Sequence, residues 1–273
     1  MAGFEDFARV ERDGWSDPGT ARSYADVFAE ASRLCVPATV AAVGAAPGCR
    51  ALDLCCGPGV ITGALVGTGA QVTGLDFSPS MLDIARDAVP TARFVEGDAA
   101  ATPFEDGSFD AVTIGFGIPH VPDPEAVFRE VHRILAPGGR FAFSVWLGPQ
   151  DSLTFRTVFG NIVAHGAPGI SLPPGPDANT YAYAEAAYPA LRAAGFSDFA
   201  RVEVEAGWLS DRADAPFHIF EGGTVRGGSI LRRQPARNLE AIRAAIEEDV
   251  IAELGPTGPW RIPIPAAVIS ATA

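Results

Sequence analysis

Lysine is absent from the 273-residue chain, so all 20 basic residues are arginines, and 33 acidic residues outnumber them. Without a lysine amine, no Schiff base can form with a carbonyl substrate or with pyridoxal phosphate, which excludes that chemistry. The formal net charge of −13 repels a phosphate backbone, whose binding depends on clustered positive charge. Nucleic acid is therefore not expected as a partner.

Cysteine is scarce as well. Cys35, Cys49, Cys55 and Cys56 include one adjacent pair and no Cys-x-x-Cys spacing, so we expect no metal site and no disulfide framework. Uncharged runs end at Gly or Pro before the ~18 residues that a membrane span requires. The first residues are acidic where a secretory signal has a basic start. We predict a cytoplasmic protein without a membrane span, and the sequence leaves monomer and homodimer open.

An alternation of apolar strands and amphipathic helices begins near residue 50. Strands are predicted at 50–55, 71–76, 92–96, 109–115 and 140–146, and helices at 59–67, 79–88 and 124–135. This order favours right-handed crossovers and a parallel sheet with helices on both faces. Ligands bind such sheets at the carboxyl ends of the strands.

The flanking segments are less regular, and we interpret the whole chain, 1–273, as one domain. Residues 1–47 would form helices that cover the core at 48–146. Segments 147–180 and 210–258, the first rich in Gly and Pro, are interpreted as lid insertions over a substrate. We predict helices at 152–164 and 183–194, and a helical stretch at 214–254 broken near Gly227–Gly228 and Pro235. Strands are predicted at 199–209 and, as a proline-containing edge strand, at 262–270.

A glycine turn follows the first strand. Residues 51–60 read Ala-Leu-Asp-Leu-Cys-Cys-Gly-Pro-Gly-Val, and Asp76 ends the next strand 17 residues after Gly59. Glycine lets the backbone approach a ligand, and an acid at the neighbouring strand end can accept hydrogen bonds from a ribose. Taken alone, the turn fits a plain strand-to-helix connection, a methyl-donor pocket or a dinucleotide pocket. Thr62 stands where the dinucleotide fingerprint has its third glycine.

Four further sequence blocks help to distinguish among these three interpretations of the glycine turn. They are Leu-Asp-Phe-Ser-Pro-Ser-Met at 75–81, Phe-Val-Glu-Gly-Asp-Ala at 94–99, Ser-Phe-Asp-Ala-Val at 108–112 and Leu-Ala-Pro-Gly-Gly-Arg at 135–140. Together with the glycine turn they resemble the class I S-adenosylmethionine-dependent methyltransferases, especially the branch with the ubiquinone and menaquinone C-methyltransferases. The resemblance is dense over 48–146. It implies a Rossmann-like, seven-stranded, mostly parallel sheet with one antiparallel edge strand.

The resemblance also implies a cofactor site for S-adenosylmethionine. Gly57 and Gly59 would lie against its methionine part, and Asp76 would hold the ribose. The adenine would be flanked by Phe77 and Met81 and read by Asp98 with Ala99. The predicted site also includes Asp53, Cys55, Gly97 and Phe116.

The catalytic and acceptor residues are harder to predict, because a sulfonium methyl group is already activated and alignment alone accelerates its transfer. His120, just after the fourth strand, is either a general base for an acceptor hydroxyl or a residue that shapes the loop. Trp15, Tyr24, Trp146, His165 and Phe217 are predicted to line the acceptor pocket.

An arginine cluster near the second lid segment allows two interpretations. It either grips an acidic substrate or forms a solvated helix face paired with nearby glutamates; its members are Arg226, Arg232, Arg233 and Arg237.

The predicted function is methyl transfer to a small, secondary-metabolite-like acceptor, with oxygen favoured over nitrogen or carbon and S-adenosylhomocysteine released. The alternative is a relative that binds the cofactor and acts as a cyclase or isomerase without methyl transfer.

Overall fold

The computed structural model describes residues 4–177 and 179–273. Its seven-stranded sheet has the order β3-β2-β1-β4-β5-β9-β6, and a separate two-stranded sheet pairs β7 with β8. The strands are β1 Arg50–Leu54, β2 Gln71–Asp76, β3 Arg93–Glu96, β4 Phe109–Gly115, β5 Leu135–Trp146, β6 Ser197–Val204, β7 Gly207–Ser210, β8 Trp260–Pro263 and β9 Ala266–Thr272. Strands β1 to β5 pair in parallel, which brings their carboxyl ends to one edge of the sheet.

The mostly parallel fold class is confirmed, but the antiparallel strand lies inside the sheet and not at its edge. Strand β9 pairs in antiparallel register with β5 on one side and β6 on the other. The prolines that suggested an edge position, Pro263 and Pro265, precede β9. Since β9 itself contains no proline, its backbone N–H groups can donate to both neighbours.

Helices cover the sheet and extend beyond its carboxyl edge. They are α1 Glu5–Ser16, α2 Pro18–Ser23, α3 Ala29–Arg33, α4 Val36–Val43, α5 Val60–Gly67, α6 Pro79–Ala88, α7 Pro124–Ile134, α8 Leu153–His165, α9 Ala184–Ala193, α10 Ala215–Gly223, α11 Arg226–Arg232 and α12 Ala236–Leu254. Tyr24–Phe28, between α2 and α3, is π-helical. None of the helices in the described ranges is long and apolar enough to cross a membrane.

Local sequence explains where the core helices begin. Ser78 caps α6 by accepting a hydrogen bond from the Met81 N–H at 3.1 Å, and Asp123 caps α7 by accepting from the Ala126 N–H at 2.9 Å. A proline follows each cap, where its missing N–H costs no helical hydrogen bond.

The second half of the chain differs from the sequence prediction in three further places. The single strand predicted at 262–270 is interrupted, because β8 ends at Pro263 and β9 begins at Ala266. The single strand predicted at 199–209 is two strands, because β6 ends at Val204 and the chain then forms β7, which pairs with β8 in the small sheet. The break predicted at Gly227–Gly228 lies earlier, between α10 and α11, and both glycines are inside α11. They pack closely there, since a Cβ at Gly227 would lie 3.0 Å from the Phe220 ring.

Candidate active site

A cavity of about 570 Å³ opens at the carboxyl ends of the parallel strands. Strand ends and their loops form one wall, and the opposite wall comes from the N-terminal helices, α8, α10, α11 and the residues Pro176, Asp177 and Asn179. Among the residues that line it are Trp15, Tyr24, Phe28, Asp53, Cys55, Gly57, Asp76, Phe77, Met81, Phe116, His120, Trp146, Phe155, Phe159, Phe220 and Arg226. Eleven of the residues predicted from the sequence therefore meet in one cavity.

The glycine turn forms a cradle on the strand wall. Gly57 has a φ of +52°, which L-amino acids rarely adopt, and a Cβ placed there would have no heavy atom within 4 Å. Gly59 has a different role: its φ is +83°, and a Cβ there would lie 3.3 Å from Ala85 Cβ on α6. Gly57 thus opens space for a ligand, while Gly59 allows α5 and α6 to pack together behind the turn.

Asp76 ties the glycine turn to the second strand. Its Oδ2 accepts from the Gly57 N–H and its Oδ1 accepts from the Ser78 N–H, both at 2.9 Å. Each carboxylate oxygen keeps a further lone pair that can accept a hydrogen bond from a ribose hydroxyl. Burial raises the pKa of Asp76 above its ordinary value, while hydrogen bonds from Ser78 and Gly57 lower it in part.

Asp53 lies deeper on the same wall. Its carboxyl accepts from Thr62 Oγ1 at 2.7 Å and from Thr113 Oγ1 at 3.1 Å. Burial raises the pKa of Asp53 to about 7, and the two threonine hydroxyls oppose that shift only in part. The carboxyl can therefore gain or lose a proton near neutral pH.

Of the three residues other than glycine that have a positive φ in the described ranges, Cys55 and Phe116 line the cavity, and Asp198 does not. Cys55, after β1, and Phe116, after β4, each have a φ of 56°. A conformation of this kind costs of order 1–3 kcal/mol and is concentrated at functional sites. Gly117 makes the arrangement possible, because a Cβ there would lie 2.5 Å from Cys55 Cβ.

Aromatic rings line both walls of the cavity. On the strand wall, Trp146 at the end of β5 stacks on Phe116 with ring centroids 3.8 Å apart. On the opposite wall, Phe28 stacks on Tyr24 at 5.6 Å, and Phe155 and Phe159 of α8 stack on each other at 5.7 Å. The cavity therefore suits an apolar or aromatic acceptor.

His120 connects the two walls through a residue that sequence reasoning missed. Its Nδ1 lies 2.8 Å from Oε2 of Glu11 on α1, and the same oxygen accepts from Trp15 Nε1 at 3.0 Å. A signal for Glu11 exists in the sequence. Phe7, Glu11 and Trp15 follow one another at intervals of four, so they share the buried face of α1.

Other predicted residues lie outside the cavity lining. Asp98 is exposed, and its Oδ1 accepts from the Ala100 N–H at 2.8 Å. Gly97 and Ala99 flank it, with Gly97 donating its N–H to the Asp76 carbonyl at 3.0 Å. His165 is exposed at the end of α8 and does not line the cavity. Phe217 is buried in the core beneath the lid, on the inner face of α10.

The arginine cluster does not act as a unit. Arg226 lines the cavity, and its Nη2 donates to the Pro173 carbonyl at 2.9 Å. Arg232 donates to the Glu221 carbonyl, and Arg233 donates to the Ser171 carbonyl. The glutamate pairing predicted for these arginines is instead made by Arg243, which contacts Glu240 and Glu247.

Comparison with known proteins agrees with this geometry. Residues 52–143 match the family described as Methyltransferase domain. A demethylmenaquinone methyltransferase of Renibacterium salmoninarum is 34% identical over 187 residues, which are 68% of this chain and 76% of the relative.

Two solved structures share the fold. The YcgJ protein of Bacillus subtilis has a TM-score of 0.58 at 18% identity, covering 87% of this chain and 97% of its own. Haemonchus contortus phospholethanolamine N-methyltransferase 2, in complex with phosphomonomethylethanolamine and S-adenosylhomocysteine, has a TM-score of 0.53 at 18% identity. That match covers 87% of this chain and 52% of the other.

The chain therefore belongs to the class I S-adenosylmethionine-dependent methyltransferases. Within that class it resembles the quinone C-methyltransferases, as its similarity to the demethylmenaquinone methyltransferase indicates. It is an enzyme that takes its methyl group from S-adenosylmethionine and acts on small molecules. The class, the enzyme activity and the cofactor predicted from the sequence are thus confirmed.

The strand wall fits this cofactor. Gly57 leaves an open cradle, Asp76 keeps acceptor capacity at its strand end, and Asp53 offers a buried carboxyl to a positively charged ligand. When bound, S-adenosylmethionine supplies an electrophilic methyl group on a positively charged sulfur. The protein's own part is to orient the acceptor, exclude water and hold or move a proton.

Proposed function

We propose that this enzyme methylates a small, mainly apolar acceptor that carries an acidic hydroxyl group on an aromatic or quinol-type ring. The observation that carries the proposal is the position of His120. In the described part of the chain it is the one histidine that lines the cavity, and the surrounding rings are apolar. An imidazole in such a pocket can take the proton of a bound hydroxyl near neutral pH.

The acceptor oxygen is the proposed methylation site. His120 takes the hydroxyl proton, and the oxygen then carries the negative charge and the electron pair for the new bond to the methyl carbon. The aromatic side chains that line the cavity hold the acceptor ring in place, so that the oxygen and the methyl carbon are aligned for an in-line reaction.

A ring carbon next to the hydroxyl is a second candidate. Loss of the hydroxyl proton spreads negative charge onto that carbon, which can form the bond to the methyl group. The hydrogen on that carbon must then leave as a proton to restore the aromatic hydroxyl. The name of the Renibacterium salmoninarum relative, demethylmenaquinone methyltransferase, favours this alternative. Orientation of the ring against Phe116 and Trp146 would decide which atom faces the methyl group.

Product analysis tests the proposal. The enzyme is incubated with ¹³C-methyl-labelled S-adenosylmethionine and a panel of phenols, hydroxylated quinones and enols. The expected result is one S-adenosylhomocysteine per methylated product, with a ¹³C shift near 55–60 ppm for an O-methyl group or roughly 10–20 ppm for a ring C-methyl group. Conversion of an acceptor without S-adenosylhomocysteine would instead indicate the cyclase or isomerase alternative.

A substitution tests the role of His120. In His120→Ala the loss of a general base should lower turnover by roughly 10²-fold to 10⁴-fold, with cofactor affinity nearly unchanged. His165→Ala is the matched control, because His165 is exposed and outside the cavity lining. Full turnover of His120→Ala from pH 6 to pH 9 would assign His120 to loop structure instead.

A further inference from the structure

Helix α1 places a buried carboxylate directly behind the proposed base. Glu11 is only 1% exposed, and its Oε2 contacts both Trp15 Nε1 and His120 Nδ1. A buried charge is costly unless it is paired and hydrogen-bonded, so this arrangement has no evident purpose as packing alone. Glu11 does not belong to the cavity lining, and of the two lining residues hydrogen-bonded to it, Trp15 and His120, only the imidazole can take a proton from an acceptor.

The two contacts define which imidazole nitrogen carries the proton. An indole N–H only donates, so Glu11 Oε2 is the acceptor from Trp15. If the same carboxylate oxygen also accepts from His120, then Nδ1 carries the hydrogen and Nε2 of the neutral ring carries the lone pair. None of the hydrogen bonds found among residues 4–177 and 179–273 uses Nε2, which leaves it free to take a proton.

We propose that Glu11 is the positioning residue for His120: it holds the imidazole in the Nδ1–H form with Nε2 available to the acceptor, and it stabilises the imidazolium after proton transfer. This inference rests on the proposed function of His120 as a base. Together the two side chains form a carboxylate–imidazole pair, with the carboxylate supplied by the N-terminal helix and the imidazole by the loop after β4.

Neighbouring groups hold the pair in place. The Trp15 ring lies edge-on to the imidazole, with centroids 5.0 Å apart. Arg226 of α11 approaches from the lid, with Nη1 3.9 Å from Glu11 Oε1, and neither atom has a hydrogen-bond partner in the described ranges. The positive charge of Arg226 offsets part of the cost of burying the carboxylate. Asp76, at the end of β2, also interacts electrostatically with His120.

The position of α1 is fixed by contacts with the strand wall and with the lid. Ser78 Oγ donates to the Trp15 carbonyl and Ser80 Oγ donates to the Ser16 carbonyl, both at 2.7 Å. On the other side Gly14 packs against Val225, with no space for a Cβ. The residues after Asp76, at the start of α6, therefore set where Glu11 lies. The geometry of the base is in this way coupled to that of the strand wall.

Nitrogen-15 NMR on the protein without acceptor tests the pair directly. Long-range ¹H–¹⁵N spectra distinguish the two neutral tautomers, and the His120→Asn variant identifies the His120 signals among the four histidines. We expect the Nδ1–H form in the wild type and a change towards the Nε2–H form in Glu11→Ala. An Nε2–H form in the wild type, or the same tautomer in both proteins, would overturn the proposal.

Kinetics on the methylation reaction supply the second readout. In Glu11→Gln the amide has the size of the carboxylate but no charge, so the acidic limb of the pH profile of kcat should move down by about one pH unit. Turnover at neutral pH should fall by about tenfold, with an unchanged KM for S-adenosylmethionine. Glu5→Gln, the same substitution at an exposed position of α1, is the control and should behave as wild type.

The two readouts separate failure of this inference from failure of the proposed function. If wild-type His120 shows the Nδ1–H form and Glu11→Ala loses it, but no acceptor is methylated, the positioning role stands and the proposed function fails. If methylation occurs and Glu11→Gln keeps the wild-type pH profile and turnover, the positioning role is wrong.

Discussion

The two walls of the cavity are built from different kinds of groups. The strand wall consists of turns and strand ends that carry two buried carboxyls, of which Asp76 is held in place by the backbone N–H groups of Gly57 and Ser78. The lid wall consists of side chains from α1, the π-helical segment, α8, α10 and α11. The first wall can serve one invariant ligand, whereas the second can be altered for a different acceptor without disturbing the sheet.

Among the predictions that compare the two walls, the largest effect is expected for a substitution on the strand wall. Asp76→Ala removes the carboxylate predicted to accept from the ribose and also leaves the Gly57 and Ser78 N–H groups without their acceptor. Affinity for S-adenosylmethionine should fall by about 1.5–3 kcal/mol, roughly 10-fold to 100-fold, as for hydrogen bonds to charged groups. Isothermal titration calorimetry measures this loss, and thermal unfolding shows whether the variant is folded.

The control for this substitution is Asp87→Ala, because Asp87 is an exposed carboxylate on α6. It should bind the cofactor as the wild type does. If a folded Asp76→Ala variant bound S-adenosylmethionine as tightly as the wild type, Asp76 would not be part of the cofactor site. The assignment of the strand wall to the cofactor would then lose its main support.

The next largest effect is expected for a substitution on the lid wall. Phe159→Ala removes a ring that stacks on Phe155 and faces the cavity from α8, so it takes away apolar contact area from the acceptor. The KM for the acceptor should rise by roughly fivefold to tenfold, the equivalent of about 1–1.4 kcal/mol of lost burial. Affinity for S-adenosylmethionine should stay unchanged.

Val163→Ala is the matched control for the lid, since Val163 is on the same helix and is 86% exposed. The contrast between the walls would break down if Phe159→Ala weakened cofactor binding as much as acceptor binding.

The strand wall could be predicted from sequence because its parts are local. A turn such as Gly57-Pro58-Gly59 and an acid such as Asp76 each follow a strand within a few residues, and parallel pairing brings those strand ends together. Short-range patterns therefore determine which groups meet. Even so, the strained φ of Phe116 could not be predicted, because it depends on how β4 and the following loop pack.

The lid could not be predicted in the same way. The contact between Glu11 and His120 joins residues 109 positions apart, and nothing in either local sequence specifies it. His165 and Phe217 were predicted on chemical type alone, and type does not determine which side of a helix faces the cavity. The order of β9 and β6 was missed for a related reason, since a strand's place in a sheet depends on long-range pairing.

The smallest expected effect is a pH dependence of the strand wall. Burial raises the pKa of Asp53 to about 7 from an ordinary value of 3.8, so folding favours the protonated form. The stabilisation that this form contributes is fully present below about pH 3.8 and is lost as the pH rises through about 7. The free energy of unfolding of the cofactor-free protein should therefore decrease with pH over this window, and Asp53→Asn should lack that component.

Cofactor binding should show the opposite trend. S-adenosylmethionine carries a positive sulfonium centre and an ammonium group, and ionised Asp53 attracts both charges more strongly than the protonated carboxyl does. Affinity should therefore rise by roughly threefold to fivefold between pH 6 and pH 8 in the wild type, and much less in Asp53→Asn. Calorimetry at both pH values measures the change. Equal pH dependence in the two proteins would show that Asp53 acts only through Thr62 and Thr113, as a structural link between β1, α5 and β4, and that Asp76 alone supplies the charge of the strand wall.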